Sequence, residues 1–189
     1  MLPQITINVA MSLNGKISSG NGRYSISDAT DMERVISLRK SVDAVLIGAN
    51  TVIVDNPVLH YSKSRIVLDG EFRLSGKYKI FDGSARTYIV TTKNKHIENA
   101  LTVLVSSTEI KDIMEKLYSL GIKSILVEGG VQVINEFLEA NLFDRFFVYM
   151  NPGLILSGKS LFQPADRRIE YSVEQSGRGI LLSIKSIHQ

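Results

Sequence analysis

The chain has 189 residues, 44% of them hydrophobic and 22% charged, with a formal net charge of +3. That is the size and balance of one globular α/β unit, expected as a single domain over residues 1–189, able to bury a core without staples. The absence of cysteine excludes disulfides, thiolate chemistry and Cys-ligated zinc. Lysine and arginine are dispersed with no aromatic-and-basic stripe, so nucleic acid is not an expected partner. No basic-then-apolar leader opens the sequence and no run approaches membrane-spanning length, so a cytoplasmic protein without membrane partners is expected.

Residues 4–11 (QITINVAM) alternate and are rich in β-branched side chains, the pattern of a strand. A loop follows, carrying Asn14-Gly15 and the cluster Gly20-Asn21-Gly22. Ser27 or Asp28 caps a helix running to about residue 40, with Met32, Val35 and Ile36 as its apolar stripe. Arg39 continues that stripe. An arginine on the inward side needs a partner, because an unpaired buried cation is costly. It either snorkels from the last turn, helped by the helix dipole, or serves an anion.

Residues 43–49 (DAVLIGA) form a nearly continuous apolar run, as in a strand covered on both faces. Residues 65–69 and 86–91 look similar, and 101–105 make a shorter strand. Ser106 and Glu109 give a capping-box pattern before a helix over 110–120, closed by Gly121. A buried strand over 122–127 leads through Glu128-Gly129-Gly130 into a helix to about residue 140, and 145–150 is again a strand. The chain ends in a hairpin: 169–175, the turn Ser176-Gly177-Arg178-Gly179, then 180–187, where Ile180, Leu182 and Ile184 alternate with outward positions. This order predicts a three-layer α/β fold, a mainly parallel sheet with helices on both faces and an antiparallel C-terminal hairpin at one side. Ligands of such sheets bind beyond the carboxyl ends of strands. Residues 11–15 and 48–59, Asp69-Gly70, Thr91-Thr92 and Glu128-Gly129-Gly130 all fall there.

Each segment has two readings. Two glycines between a strand and a helix free backbone N–H groups for an anion, but a tight turn explains them as well. Asp55-Asn56-Pro57 is either a catalytic carboxylate beside a ligand or an Asx turn. Thr91-Thr92 before Lys93 suit the phosphate of an adenosine ribose, or make a polar loop. Glu128 could accept hydrogen bonds from substrate hydroxyls, or stand exposed. His60, His96 and His188 lack metal-ligand spacing, so no metal site is expected.

Taken in order, the segments resemble one family. They are Asn8-Val9-Ala10-Met11-Ser12-Leu13-Asn14-Gly15-Lys16-Ile17; Ile26-Ser27 before a helix ending in Leu38-Arg39; residues 42–48 through Thr51-Val52 to Asp55-Asn56-Pro57-x-Leu59; residues 65–69; Ile89-Val90-Thr91-Thr92; residues 124–130; and Asn151-Pro152 with residues 153–158. The chain is similar, over nearly its whole length, to the riboflavin-pathway reductases. These are the reductase part of riboflavin-specific deaminase/reductases and their stand-alone archaeal and fungal counterparts. The resemblance implies a dihydrofolate-reductase-like fold and a homodimer. It also implies reduction of the ribosylamino group of 2,5-diamino-6-ribosylamino-4(3H)-pyrimidinone 5′-phosphate by NADPH, with NADH possible.

Position by position, it implies cofactor contacts at Met11, Thr51, Asp55, Gly70, Thr91, Thr92, Gly129, Gly130, Val131 and Gln132. Substrate contacts are implied at Asn8, Ser25, Arg39, Asn56, Leu59, Lys63 and Glu128, with Arg39 facing the phosphate and with Asp55 and Glu128 as the catalytic candidates. Two departures stand out. Asn14 replaces the family's Asp, and His60-Tyr61-Ser62-Lys63 replaces a threonine followed by a phosphate-binding cation, which leaves Lys63 to supply the charge. With no cysteine and no room for a zinc deaminase domain, the stand-alone type is expected. The rival readings are the same reaction on deaminated 5-amino-6-(5-phosphoribosylamino)uracil, a dihydrofolate reductase, a nucleotide-binding regulatory module without turnover, and an RNA-binding surface. A folate site would want an acidic residue on the first helix facing the pocket, where the inward residue read here is Arg39.

Overall fold

The computed structural model describes residues 1–20, 24–162 and 166–188. Asn21 and Gly22 of the expected glycine loop lie outside them. Among the described residues nine strands form one sheet: β1 (Gln4–Ser12), β2 (Ala44–Gly48), β3 (Ser64–Leu68), β4 (Arg86–Thr91), β5 (Ala100–Leu104), β6 (Ser124–Gly129), β7 (Arg145–Asn151), β8 (Arg168–Ser176) and β9 (Gly179–His188). Their order is β5-β4-β3-β2-β6-β1-β7-β9-β8. The first seven run parallel, β9 is antiparallel to β7, and β8 closes the hairpin on β9. Helices α1 (Ala29–Ser41), α2 (Ala49–Asp55), α3 (Ile110–Ser119) and α4 (Val131–Glu139), with the short 3-10 helix η1 (Lys79–Phe81), make the crossovers.

The continuous apolar runs of the central strands serve two cores, one on each face. On one face Ile7, Leu46, Ile66 and Val127 meet Met114 and Leu117 of α3 and Ile134 and Phe137 of α4. On the other, Val45, Ile47, Val67 and Leu126 meet Val52, Leu59, Ile80 and Phe81. Full burial of each such side chain stabilises by about 1.5–3 kcal/mol, so the rigid centre of the molecule lies beneath β2, β6 and β1. Gly48 is part of that packing: a Cβ there would stand 2.8 Å from Val133 Cγ2, so α4 rests directly on the end of β2.

Helix α1 differs from the expected pattern. Asp28 caps it by accepting from Asp31 N, and the residues buried against the sheet are Asp31 and Val35, with Leu38 packed on the core. Met32 is exposed and Ile36 half-buried. The stripe is therefore turned by one residue, about 100°, because the first turn inserts an ion pair rather than an apolar residue. The Ser106/Glu109 capping box does not form. Helix α3 begins at Ile110, so Glu109 occupies the cap position itself, and its N–H donates to Ser107 Oγ.

The C-terminal turn packs on the start of α1. Arg178 N donates to Asp28 Oδ2 at 2.7 Å, and the backbone N–H groups of Arg178 and Asp31 hold the Asp28 carboxyl below its usual range. In β9 Leu181 and Ile184 are buried while Ile180 and Leu182 are half-buried, so the strand contributes to both faces rather than alternating simply. Asn14, the departure from the family's Asp, joins two loops. Its Nδ2 donates to Leu156 O at 2.8 Å and its Oδ1 accepts from Leu156 N and Ser12 Oγ. A carboxylate could not supply that donor.

Candidate active site

Strand β6 ends in Glu128 and Gly129, and α4 begins just after Gly130. Gly129 holds φ +119°, a conformation open to glycine and strained for other residues. The Gly129–Gly130 peptide is cis. A Cβ on Gly130 would stand 3.1 Å from Thr51 Oγ1, so the first turn of α2 lies against this turn. No side chain caps α4, which leaves the N–H groups of its first turn open to an anion. Val131 is half-buried at that start, and the exposed Gln132 donates from Nε2 to Glu136 at 3.2 Å.

On the α1 face of β6, Glu128 meets Arg39. Nε donates to Oε1 at 2.7 Å and Nη2 to Oε2 at 2.6 Å, a parallel, two-pronged pair of the strongest geometry available to these groups. Glu128 is 9% and Arg39 17% exposed. The third nitrogen, Nη1, makes only a 3.4 Å contact to His60 O. The inward arginine thus has a partner in the protein, and its third nitrogen is the least firmly held.

Beside this pair runs a second polar chain. Ser27 Oγ donates to Asp31 Oδ2, Arg34 donates to Asp31 Oδ1 at 2.6 and 2.9 Å, and Arg34 Nη2 donates to Asn8 Oδ1 at 2.7 Å. Sequence reasoning missed Asp31 and Arg34. The signal was present: residues 31, 34, 35 and 38 sit at i, i+3, i+4 and i+7, the spacing of one helix face, although two of them are charged. An acidic residue does face inward from the first helix, contrary to the argument that set the folate reading aside. Asp31 is wholly buried, but Ser27 and Arg34 already engage its carboxylate.

The other expected site residues divide. Asp55 ends α2 and is half-buried. Asn56 takes a left-handed cap conformation and its Oδ1 accepts from Lys79 N at 2.8 Å, so its side chain braces η1. Leu59 is a core residue, with φ 55° turning the chain behind it. Met11 is half-buried against the α3/α4 core. Thr91 and Thr92 both donate their hydroxyls to Gly70 O at 3.0 Å, which ties the turn after β3 to the end of β4. Ser25 borders a cavity of ≈ 330 Å³ lined also by Ile26, Asp28, Asn151 and Arg178, beside β7 rather than at the glycine turn.

Lys63 does not join the group. It is exposed, directly precedes β3, and lies close enough to Asp43 to help lower its carboxyl, a group held mainly by hydrogen bonds from Lys123 and Ser124 against the cost of burial. Those partners mark the amino ends of β2, β3 and β6, the opposite edge of the sheet. Leu59 and Tyr61 both take positive φ, so the chain turns sharply just before Lys63. Among the described residues no His, Cys, Asp and Glu cluster could hold a metal, and no helix is long and apolar enough to cross a membrane.

The model of the RibD C-terminal domain matches residues 3–182. The chain belongs to that family. It is 29% identical over 177 residues to the 2,5-diamino-6-ribosylamino-4(3H)-pyrimidinone 5′-phosphate reductase of Methanothermobacter thermautotrophicus, covering 84% of this chain and 82% of that one. It is 31% identical to the riboflavin biosynthesis protein RibD of Aquifex aeolicus over 91% of this chain but only 52% of that protein. In structure it is similar to a Thermotoga maritima diaminohydroxyphosphoribosylaminopyrimidine deaminase/5-amino-6-(5-phosphoribosylamino)uracil reductase. There the TM-score is 0.84 at 28% identity, over 97% of this chain and 56% of that one. The yeast riboflavin biosynthesis reductase Rib7 shares the fold at TM-score 0.79. The sheet, its C-terminal hairpin and these neighbours establish the dihydrofolate-reductase-like fold.

Proposed function

We propose that this member of the RibD C-terminal domain family reduces 2,5-diamino-6-ribosylamino-4(3H)-pyrimidinone 5′-phosphate to its ribitylamino form, with NADPH as reductant, as a cytoplasmic homodimer. One observation carries the reading: an uncapped glycine turn at a helix start stands next to a nearly buried carboxylate–guanidinium pair, which sets a dinucleotide site beside a sugar site. NADPH, when bound, supplies a hydride to C1′ of the opened, imine-like ribose. The residues fit it. Gly130 leaves open the space a Cβ would fill against Thr51, the α4 amides suit the pyrophosphate, and the Thr51 hydroxyl suits a ribose oxygen.

On the substrate side Arg39 Nη1 would donate to the phosphate, while its other two nitrogens hold Glu128, which would accept from ribose hydroxyls. Asp55 is the second candidate for handling the proton at the imine nitrogen. The diamino substrate is favoured over the deaminated one because the Methanothermobacter thermautotrophicus and Archaeoglobus fulgidus relatives, matched over 82% and 99% of their length, are named for it. A homodimer is supported by β8, an edge strand that exposes Tyr171 and Val173, a surface that free strands seldom leave uncovered.

The test is NADPH absorbance with the diamino substrate, its deaminated analogue and dihydrofolate in parallel. Oxidation with the diamino compound is expected to dominate, and turnover of dihydrofolate alone would overturn the reading. Glu128→Gln is expected to lower kcat/KM by roughly 100-fold and Asp55→Asn by roughly 10-fold. If both variants keep wild-type kcat and KM, neither residue has the role given to it.

A further inference from the structure

Helices α1 and α4 are seated on the sheet by different means. α4 buries Val133, Ile134, Asn135, Phe137 and Leu138, so apolar burial fixes its place. α1 is longer, 13 residues or about 20 Å, yet it buries only Asp31 and Val35. Its position therefore depends on polar ties. Two of them run to the strands: Arg39 to Glu128 of β6 and Arg34 to Asn8 of β1. The third runs to the C-terminal hairpin. Asp28 caps α1 with Oδ1, which accepts from Asp31 N at 3.0 Å, and turns Oδ2 to Arg178 N at 2.7 Å.

The turn between β8 and β9 is shaped for that tie. Gly177 takes φ 57°, and a Cβ on it would strike Asp28 Oδ2 and stand 2.9 Å from Thr30 Cβ. A Cβ on Gly179 would strike the ring of Tyr149, which is wholly buried in β7. Backbone comes this close only where glycine removes the side chain. The turn thus rests on the start of α1 on one side and on β7 on the other.

We propose that the 176–179 turn positions the substrate half of the site, with Asp28 as the positioning residue: it holds the start of α1 so that Arg34 and Arg39 meet their partners. This rests on the function proposed above, which puts the substrate beside α1 and the cofactor beside α2 and α4. With so little apolar burial beneath it, α1 shifts when its first turn is released. A displacement of about 1 Å in a group that holds substrate can cost about 100-fold.

Asp28→Ser separates the tie from the cap. The serine hydroxyl still accepts from Asp31 N, but no second oxygen remains for Arg178. Gly177→Ala breaks the same contact from the hairpin side. In each variant KM for the ribosylamino substrate is expected to rise about 10-fold, while the dissociation constant of NADPH, read by fluorescence titration, stays within about two-fold of wild type. In the double variant KM should rise no further than in the worse single one, because both substitutions break one contact. A merely structural role would lower the folded fraction, and with it kcat, and leave KM in place. Unchanged KM in folded Asp28→Ser, an equal loss of NADPH affinity, or losses that multiply in the double variant overturn the inference. Failure of wild-type enzyme to oxidise NADPH with the ribosylamino substrate overturns instead the reading on which it rests.

Discussion

Two arginine–carboxylate pairs lie on the same face of the sheet, at opposite ends of its strands, and they show what separates a structural cation from one held for a ligand. Arg65, near the amino end of β3, is 2% exposed in its side chain and turns both terminal nitrogens to its own neighbourhood, while its buried Nε meets no acceptor among the described residues. Nη1 donates to Ile80 O and to Asp82 Oδ1, and Nη2 to Ser84 Oγ. All three acceptors come from the short stretch around η1, so the pair stitches that stretch to the sheet. Arg39 meets an acceptor 89 positions away on β6, takes it with two nitrogens, and leaves the third with one long contact. The first arrangement closes on one stretch of chain. The second spans two distant segments, and under the function proposed above its third nitrogen would meet the phosphate.

Breaking the closed pair should have the largest effect, and it should fall on stability. Arg65→Met removes the charged donor from the buried Ile80 carbonyl and from Asp82, leaving them only Thr87 and Ser84, which is expected to cost about 3 kcal/mol, read from urea unfolding. The kcat/KM of the folded fraction should stay near wild type, and a large kinetic loss in a well-folded variant would break the division drawn here. The pair also has a pH signature. The Arg65 guanidinium, followed by the Ser84 hydroxyl and N–H, lowers the Asp82 carboxyl from 3.8 to about 2. A carboxyl depressed in the folded state contributes its full stabilisation above its unfolded value and loses it as pH falls towards the folded one. Wild type should therefore shed stability between about pH 4 and pH 2 more steeply than Asp82→Asn, measured by unfolding across that window.

Opening the second pair should fall on catalysis. Arg39→Lys keeps the charge but not the two-pronged geometry that orients Glu128. It is expected to lower kcat/KM by roughly 10- to 100-fold while costing at most about 1–2 kcal/mol of stability. Equal losses in Arg39→Lys and Arg65→Met on both scales would mean the two pairs do the same work.

Much of this was legible in the order of residues, for physical reasons that also mark where reading stops. Buried parallel strands announce themselves as unbroken apolar runs, so β2, β3, β4 and β6 could be placed within a residue or two. Gly129-Gly130 and the inward Arg39 could be marked because each violates a local expectation, bare backbone at a helix start and a charge on a buried face. Asp31 and Arg34 share the helix-face spacing of Val35 and Leu38, but their charge reads as a solvated face, since their partners Ser27 and Asn8 come from a loop and from another strand. The stripe was assigned to apolar residues, and the helix turned the polar ones inward. Asn14 reads as a lost carboxylate in sequence, whereas its amide serves both sides of the Leu156 peptide. Asn14→Asp should cost about 1–2 kcal/mol and speed hydrogen exchange at Leu156, whose N–H it receives.

The smallest effect expected concerns Lys63, which the likeness to phosphate-binding relatives placed in the cleft and the fold places beside Asp43 at the amino edge. A long-range influence of an exposed charge of this kind is worth under about 1 kcal/mol, so Lys63→Ala should leave both stability and KM within about two-fold of wild type. Arg39 then has to carry the phosphate without it, and the KM of Arg39→Lys for a substrate lacking the phosphate should match that of wild type for the same compound. A ten-fold rise in KM for Lys63→Ala would mean that the 60–63 segment reaches the other end of the sheet when ligand is present. The contrast between an open cation at the carboxyl edge and closed charges at the amino edge would then fail for the liganded protein.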